Sequence, residues 1–218
     1  MVELLPLLTS RKISSLVIDT LSDQVVGKNE AVFYLYFDFP AQDEQTPTNM
    51  LGGLLKQIVA RLAKVPEEVS KAFRQFKENT GGSGLRLPDI LILLQKVLNS
   101  FDQIFICIDA LDECLTKHRP EFLRSLRCLI QGSPGTRLFF TGRPQIRAGI
   151  IKCTSENAAT VSIVPSTEDI KAYLSQKLGG DLYPEAMSSD LKEDIMKTIP
   201  ERTSEMYVSV VPSTITDD

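Results

Sequence analysis

Ile104-Phe-Ile-Cys-Ile-Asp-Ala-Leu-Asp-Glu113 is the stretch that decides the fold: five apolar residues run straight into three carboxylates. An apolar run of this length, without alternation, is the pattern of a strand covered on both faces, as in the parallel sheets of α/β proteins. Ligands of open parallel sheets sit beyond the carboxyl ends of the strands, where Asp109, Asp112 and Glu113 would project.

Carboxylates in that position suit a hard cation and a phosphate. Asp109 is the candidate ligand of Mg²⁺, and Asp112 with Glu113 the candidate pair that orients or deprotonates an attacking water. The stretch thus reads as a Walker-B-type strand. A competing reading is a strand followed by a solvated turn whose acids cap the next helix. Three acids within five positions weigh against it.

Working outward, Ala31 to Phe39 is rich in aromatic and branched residues and stops at Pro40, which predicts a second strand. Thr136 to Thr141 and Ala159 to Val164 predict two more. Between them the apolar spacing i, i+3, i+4 predicts helices over residues 12–22, 47–62, 66–79, 88–100, 120–130, 167–178 and 190–199. Alternating strands and helices predict a doubly wound α/β fold with a parallel sheet. Thr141 and Arg143 would emerge at the same sheet edge as the acids, where an arginine can reach a terminal phosphate. The alternative for Arg143 is an ion pair with a nearby acid.

The chain has 218 residues, 43% of them hydrophobic, enough for a sizeable core. Its 24 basic and 28 acidic residues leave a net charge of -4, and no predicted helix carries a dense Lys/Arg cluster, so nucleic acid is not an expected partner. Cys107, Cys114, Cys128 and Cys153 lack CxxC spacing, which argues against a zinc site or disulfide framework and for a reducing, cytoplasmic setting. Leu4 to Leu8 makes a poor signal peptide, and nothing approaches the roughly 18 apolar residues of a membrane span.

In order along the chain, Tyr34-Leu-Tyr-Phe-Asp-Phe39, Asp43-Glu-Gln-Thr46, Ile108-Asp-Ala-Leu-Asp-Glu113 and Arg137-Leu-Phe-Phe-Thr-Gly-Arg-Pro144 resemble the NACHT domain of STAND-type P-loop signalling NTPases, especially fungal proteins with ankyrin or WD40 repeats. The resemblance spans residues 13 to 205 or so. It implies a P-loop NTPase fold and a molecular switch driven by Mg²⁺ and ATP or GTP, as in cell death or nonself recognition. Asp109 would be the Mg²⁺-associated acid, Asp112 and Glu113 the hydrolysis-linked acids, and Arg143 the sensor arginine. Partners would be nucleotide, other domains of a larger signalling protein, and further copies of the chain.

One departure matters. No GxxxxGK[ST] occurs in these 218 residues. Alignment of Ser14-Ser-Leu-Val-Ile-Asp19 with the family's first helix puts Ser10 and Arg11 where Lys and Thr belong, Lys12 falls two positions late, and no glycine precedes Gly27. The expectation is therefore a truncated domain over residues 1–165, with the P-loop strand missing or replaced, followed by a helical segment over 166–218. Within that segment Thr203 to Tyr207 resembles the start of a winged helix. Nucleotide binding would be weak or absent. Val2 to Leu8 is the candidate for the vacant strand position between the strands ending at Thr141 and Val164, but Pro6 cannot donate in a central ladder. A gap there would leave two unpaired apolar edges and favour self-association. The alternatives are an active Mg-ATP switch module and an unrelated Mg²⁺-dependent phosphohydrolase using the three acids alone.

Overall fold

The structure is a computed structural model that describes residues 10–79, 84–154, 159–163, 166–179, 187–202 and 206–211. The first half runs α1 (Ser10–Gln24), β1 (Glu30–Tyr36), α2 (Pro47–Arg61), α3 (Glu67–Asn79), α4 (Leu87–Leu98) and β2 (Gln103–Asp109). It continues with α5 (Arg119–Gly132), β3 (Thr136–Gly142), α6 (Arg147–Thr154), β4 (Ala159–Ile163), α7 (Thr167–Gly179), α8 (Ser189–Arg202) and β5 (Met206–Val211). The fold is α/β. Strands β1, β2 and β3 are parallel neighbours, with Tyr36 beside Asp109 and Ile104 beside Thr136.

The apolar run of β2 is buried from both sides, as its composition requires. Ile104, Ile106 and Ile108 join Phe33, Leu35, Leu138 and Phe140 in one core with the apolar faces of α2, α4 and α5. On the opposite face Cys107, Val32 and Phe139 pack against Ile13, Ile18 and Val25 of α1 and its C-terminal continuation. Each fully buried isoleucine contributes about 1.5–3 kcal/mol relative to exposure, so Ile104, Ile106 and Ile108 anchor β2 to the layer of α2, α4 and α5, while Cys107 faces α1. Helix α2 begins where Thr46 accepts a hydrogen bond from the Asn49 N–H at 3.3 Å, with Pro47 in the first turn, and it buries Leu51, Leu54, Leu55 and Ile58. Helix α6 has no counterpart among the predicted elements. It is only 8 residues long and carries Gly149 at its third position, which lowers its propensity.

Gly135 makes the turn into β3 possible. A Cβ there would lie 2.6 Å from the carbonyl oxygen of Asp102, a backbone atom that cannot swing aside. Gly135→Ala is expected to lower stability by about 1–3 kcal/mol, the usual range for forced overpacking, measured as a reduced urea midpoint. An unchanged midpoint would mean that the turn relaxes freely.

The sheet order β1-β2-β3-β5-β4 corrects two expectations. The position between β3 and β4 is filled, and the strand that fills it comes from residues 206–211 and not from 2–8. Strand β5 runs antiparallel to both neighbours, with Val208 beside Thr141 on one side and Val161 on the other. The two unpaired edges on which the expected self-association rested are therefore paired to each other through β5. Residues 2–8 lie outside the described residues. Helices α7 and α8 lie within the segment expected to be helical, whereas β5 of that segment joins the sheet. Met206-Tyr-Val-Ser-Val-Val211 is rich enough in branched residues to pair.

Strand β1 lies at the open edge of this sheet, and two glutamine side chains occupy its backbone groups. Gln57 of α2 accepts from the Tyr34 N–H at 3.4 Å and donates to the Tyr34 carbonyl at 2.9 Å, the pair of bonds a neighbouring strand would make. Gln45 accepts from the Asp38 N–H at 3.1 Å and donates to the Tyr36 carbonyl at 3.5 Å. Amides placed this way deny a second chain the template that a bare edge offers.

Candidate functional site

At the carboxyl end of β2 the chain turns abruptly. Ala110 adopts the left-handed conformation, φ 53° and ψ 44°, at a cost of about 1–2 kcal/mol for a residue with a Cβ. Leu111–Glu113 then form a single 3-10 turn. This turn sends the three acids in different directions.

Asp109 faces α1 and β3. Its Oδ1 accepts from the Ser14 hydroxyl at 2.6 Å and from the Thr141 hydroxyl in a short hydrogen bond, and the Ala110 N–H donates to Thr141 Oγ1 at 3.1 Å. Ser14 and Thr141 are completely buried and Asp109 is 1% exposed. One carboxylate oxygen thus ties α1, β2 and β3 together. Thr141, expected at an open sheet edge, is inside this cluster.

Asp112 turns toward the end of β3. Its Oδ1 accepts from the Arg143 N–H at 3.2 Å and its Oδ2 lies 3.4 Å from Arg143 Nε. The Asp112 side chain is 8% exposed while that of Arg143 is 66% exposed, so the pair sits at the surface with its acid inward. Arg143 makes the ion pair with a nearby acid that was the alternative to a phosphate sensor. Gly142 permits this approach, because a Cβ there would come within 2.9 Å of Asp112 Oδ1. Glu113 turns the other way and accepts from the Phe39 N–H at 2.8 Å, closing the loop after β1. Arg119 braces the turn from behind, donating through Nη2 to the carbonyls of Asp112 at 2.8 Å and Cys114 at 2.7 Å.

The residues do not fit a Mg²⁺-nucleotide group. Asp109 is enclosed, with its Oδ1 engaged by two hydroxyls, and Asp112 and Glu113 are committed to partners on opposite sides of the turn. Among the described residues no three His, Cys, Asp or Glu side chains converge on one point. A phosphohydrolase built on the three acids needs them around one cation, and that convergence is what the turn prevents. Cavities of about 1220 Å³ beside α2, α3 and α4 and about 410 Å³ between α5 and α6 both take their walls from other residues. Nor are the nearby thiols nucleophiles at neutral pH: burial pushes Cys107 up to about 12, and burial, only partly offset by Arg119, pushes Cys114 up to about 11. All four cysteines are free.

Sequence reasoning missed Ser14 as a site residue. The signal was present: Ser14 lies three, four and seven positions before Val17, Ile18 and Leu21, on the apolar stripe of α1. A hydroxyl on a buried stripe needs a partner, and the acidic end of β2 is the nearest strong acceptor.

Among the described residues no helix is long and apolar enough to cross a membrane. Neither the curated proteins nor the solved structures contain a match to the chain. Residues 12–143, from α1 through the Asp112–Arg143 pair, match the family described as Nephrocystin 3, N-terminal. That match covers more than half of the chain and contains every element that shapes the acidic turn, so the chain belongs to the nephrocystin 3 N-terminal family.

Proposed function

We propose that this chain is a NACHT-type switch module that is nucleotide-incompetent, working through contacts with other domains of a cytoplasmic signalling protein and not through ATP or GTP turnover. The observation that carries this reading is the closed Asp109: the carboxylate that would serve Mg²⁺ is 1% exposed, and its Oδ1 is held by Ser14 and Thr141 inside the core. The antiparallel β5 adds support, because it occupies the sheet position that a P-loop strand takes in NACHT domains. Four free thiols accord with a reducing compartment.

The expected affinity follows from free energies. A micromolar nucleotide site is worth roughly 8 kcal/mol. A P-loop supplies a lysine, a hydroxyl ligand and several backbone donors, and charge-assisted hydrogen bonds contribute about 1.5–3 kcal/mol each. Losing two or three of them removes roughly 4 kcal/mol or more, which leaves a dissociation constant of about millimolar or weaker. Titration calorimetry with Mg-ATP and Mg-GTP tests this. Low-micromolar binding that disappears in Asp109→Asn would overturn the proposal and restore the active-switch reading.

A further inference from the structure

We propose that the cleft between α5 and α6 binds a small phosphorylated anion, a compact di- or polyphosphate group, held by Arg119, Arg124, Arg127 and Lys152. Three of these cations lie on α5 and the fourth, Lys152, on α6, in a chain whose net charge is -4. Packing of α6 on α5 brings them around one cavity of about 410 Å³, within the range of roughly 300–1,000 Å³ typical of small-ligand sites. Among the described residues no carboxylate lines it. The two helices together carry Arg119, Arg124, Arg127, Arg147 and Lys152 against one acid, Glu121, which is not part of the cavity wall.

The close packing is built in. A Cβ at Gly149 would approach Leu123 Cδ1 to 3.2 Å, so a glycine at this point of α6 lets the two helices come together. Arg127 donates through Nη1 to the Lys152 carbonyl at 3.4 Å, which sets its guanidinium across the helix pair. Arg119 is held by its two carbonyl bonds to the acidic turn. Like charges drawn together repel, and guanidinium groups fixed beforehand lose little entropy when an oxyanion arrives. Phosphate oxygens match the donor fork of arginine better than a point cation does. The Thr116 hydroxyl on the same wall is a further donor.

This site is separate from Asp109, and the two can be told apart. Sodium pyrophosphate, without Mg²⁺ and at low salt, is titrated into the full chain by calorimetry. Saturable binding is expected, at least about tenfold tighter than that of sodium sulfate, as a built phosphate site and not a diffuse positive field would give. Arg124→Glu combined with Lys152→Glu is expected to weaken pyrophosphate by about tenfold or more, because both side chains are exposed charges of the wall that hold no other described element in place. Lys56→Glu on α2 makes the same kind of charge change at a distance and is expected to leave the affinity within about twofold. Asp109→Asn is expected to leave it unchanged. Far-UV circular dichroism checks folding, and Arg124→Gln with Lys152→Gln serves if the reversal unfolds the chain. No saturable pyrophosphate binding, sulfate binding as tight as pyrophosphate, or an equal loss in Lys56→Glu would overturn the proposal.

Discussion

Asp109→Ala is expected to destabilise the chain by about 3–5 kcal/mol, the cost of leaving buried hydrogen-bonding partners without their charged acceptor. Both the Ser14 and the Thr141 hydroxyl donate to Oδ1, and each sits in the core with no exposed surface. Hydrogen bonds to a charged group are worth roughly 1.5–3 kcal/mol apiece, so two of them account for most of that figure. Asp109→Asn separates charge from geometry. Its amide oxygen can still accept from both hydroxyls, and a neutral group pays less for burial, so its loss is expected to stay within about 1.5 kcal/mol. The triple change Ser14→Ala, Asp109→Leu, Thr141→Val removes donors and acceptor together and is expected to recover part of the alanine loss. Urea unfolding of the four proteins is the measurement. If Asp109→Ala unfolds at the parent midpoint, the carboxylate is not a structural pin, and its enclosure would no longer count against a role in nucleotide binding.

Val208→Pro is expected to make the chain associate. Val208 lies at the middle of β5, in register with Thr141 of β3 and Val161 of β4. Proline removes a backbone donor and fixes φ near a value that a central antiparallel strand does not use, at a cost of about 3 kcal/mol or more. Losing β5 would strip the inner edge of β3, whose residues Leu138 and Phe140 are buried, and would leave β4 without the strand that pairs it to the sheet. Static light scattering is expected to show oligomers for the variant and none for the parent. The open edge of β1 would not change, because Gln57 and Gln45 guard it independently. A parent and a variant of equal mass and equal melting temperature would mean that β5 does not hold the sheet together.

The two results bear on different links of the same chain of causes. Asp109 concerns how the carboxyl end of β2 is tied to α1 and β3, whereas Val208 concerns how the sheet is completed. Neither depends on the anion cleft, which lies on the α5–α6 side of the molecule and shares only Arg119 with the acidic turn.

Much of this architecture was determined by the sequence alone. The run from Ile104 to Ile108 had to be a strand covered on both faces, because its unbroken apolar character leaves no side for water. Helix α2 declared itself through the spacing of Leu51, Leu54, Leu55 and Ile58, and through Thr46-Pro47 at its start. Those signals are local: each residue's neighbours three or four positions away carry the information. Only the tertiary structure decided where the acids turned. The partners of Asp109 lie 95 and 32 positions away, and that of Glu113 lies 74 positions away, so nothing near them in the chain foretold their pairing. The same holds for β5 and for the basic cleft. A short branched segment pairs with whichever sheet edge is vacant, and Lys152 joins the arginines of α5 only when α6 packs on that helix. Vacancy and proximity are properties of the folded molecule, not of any stretch of its sequence.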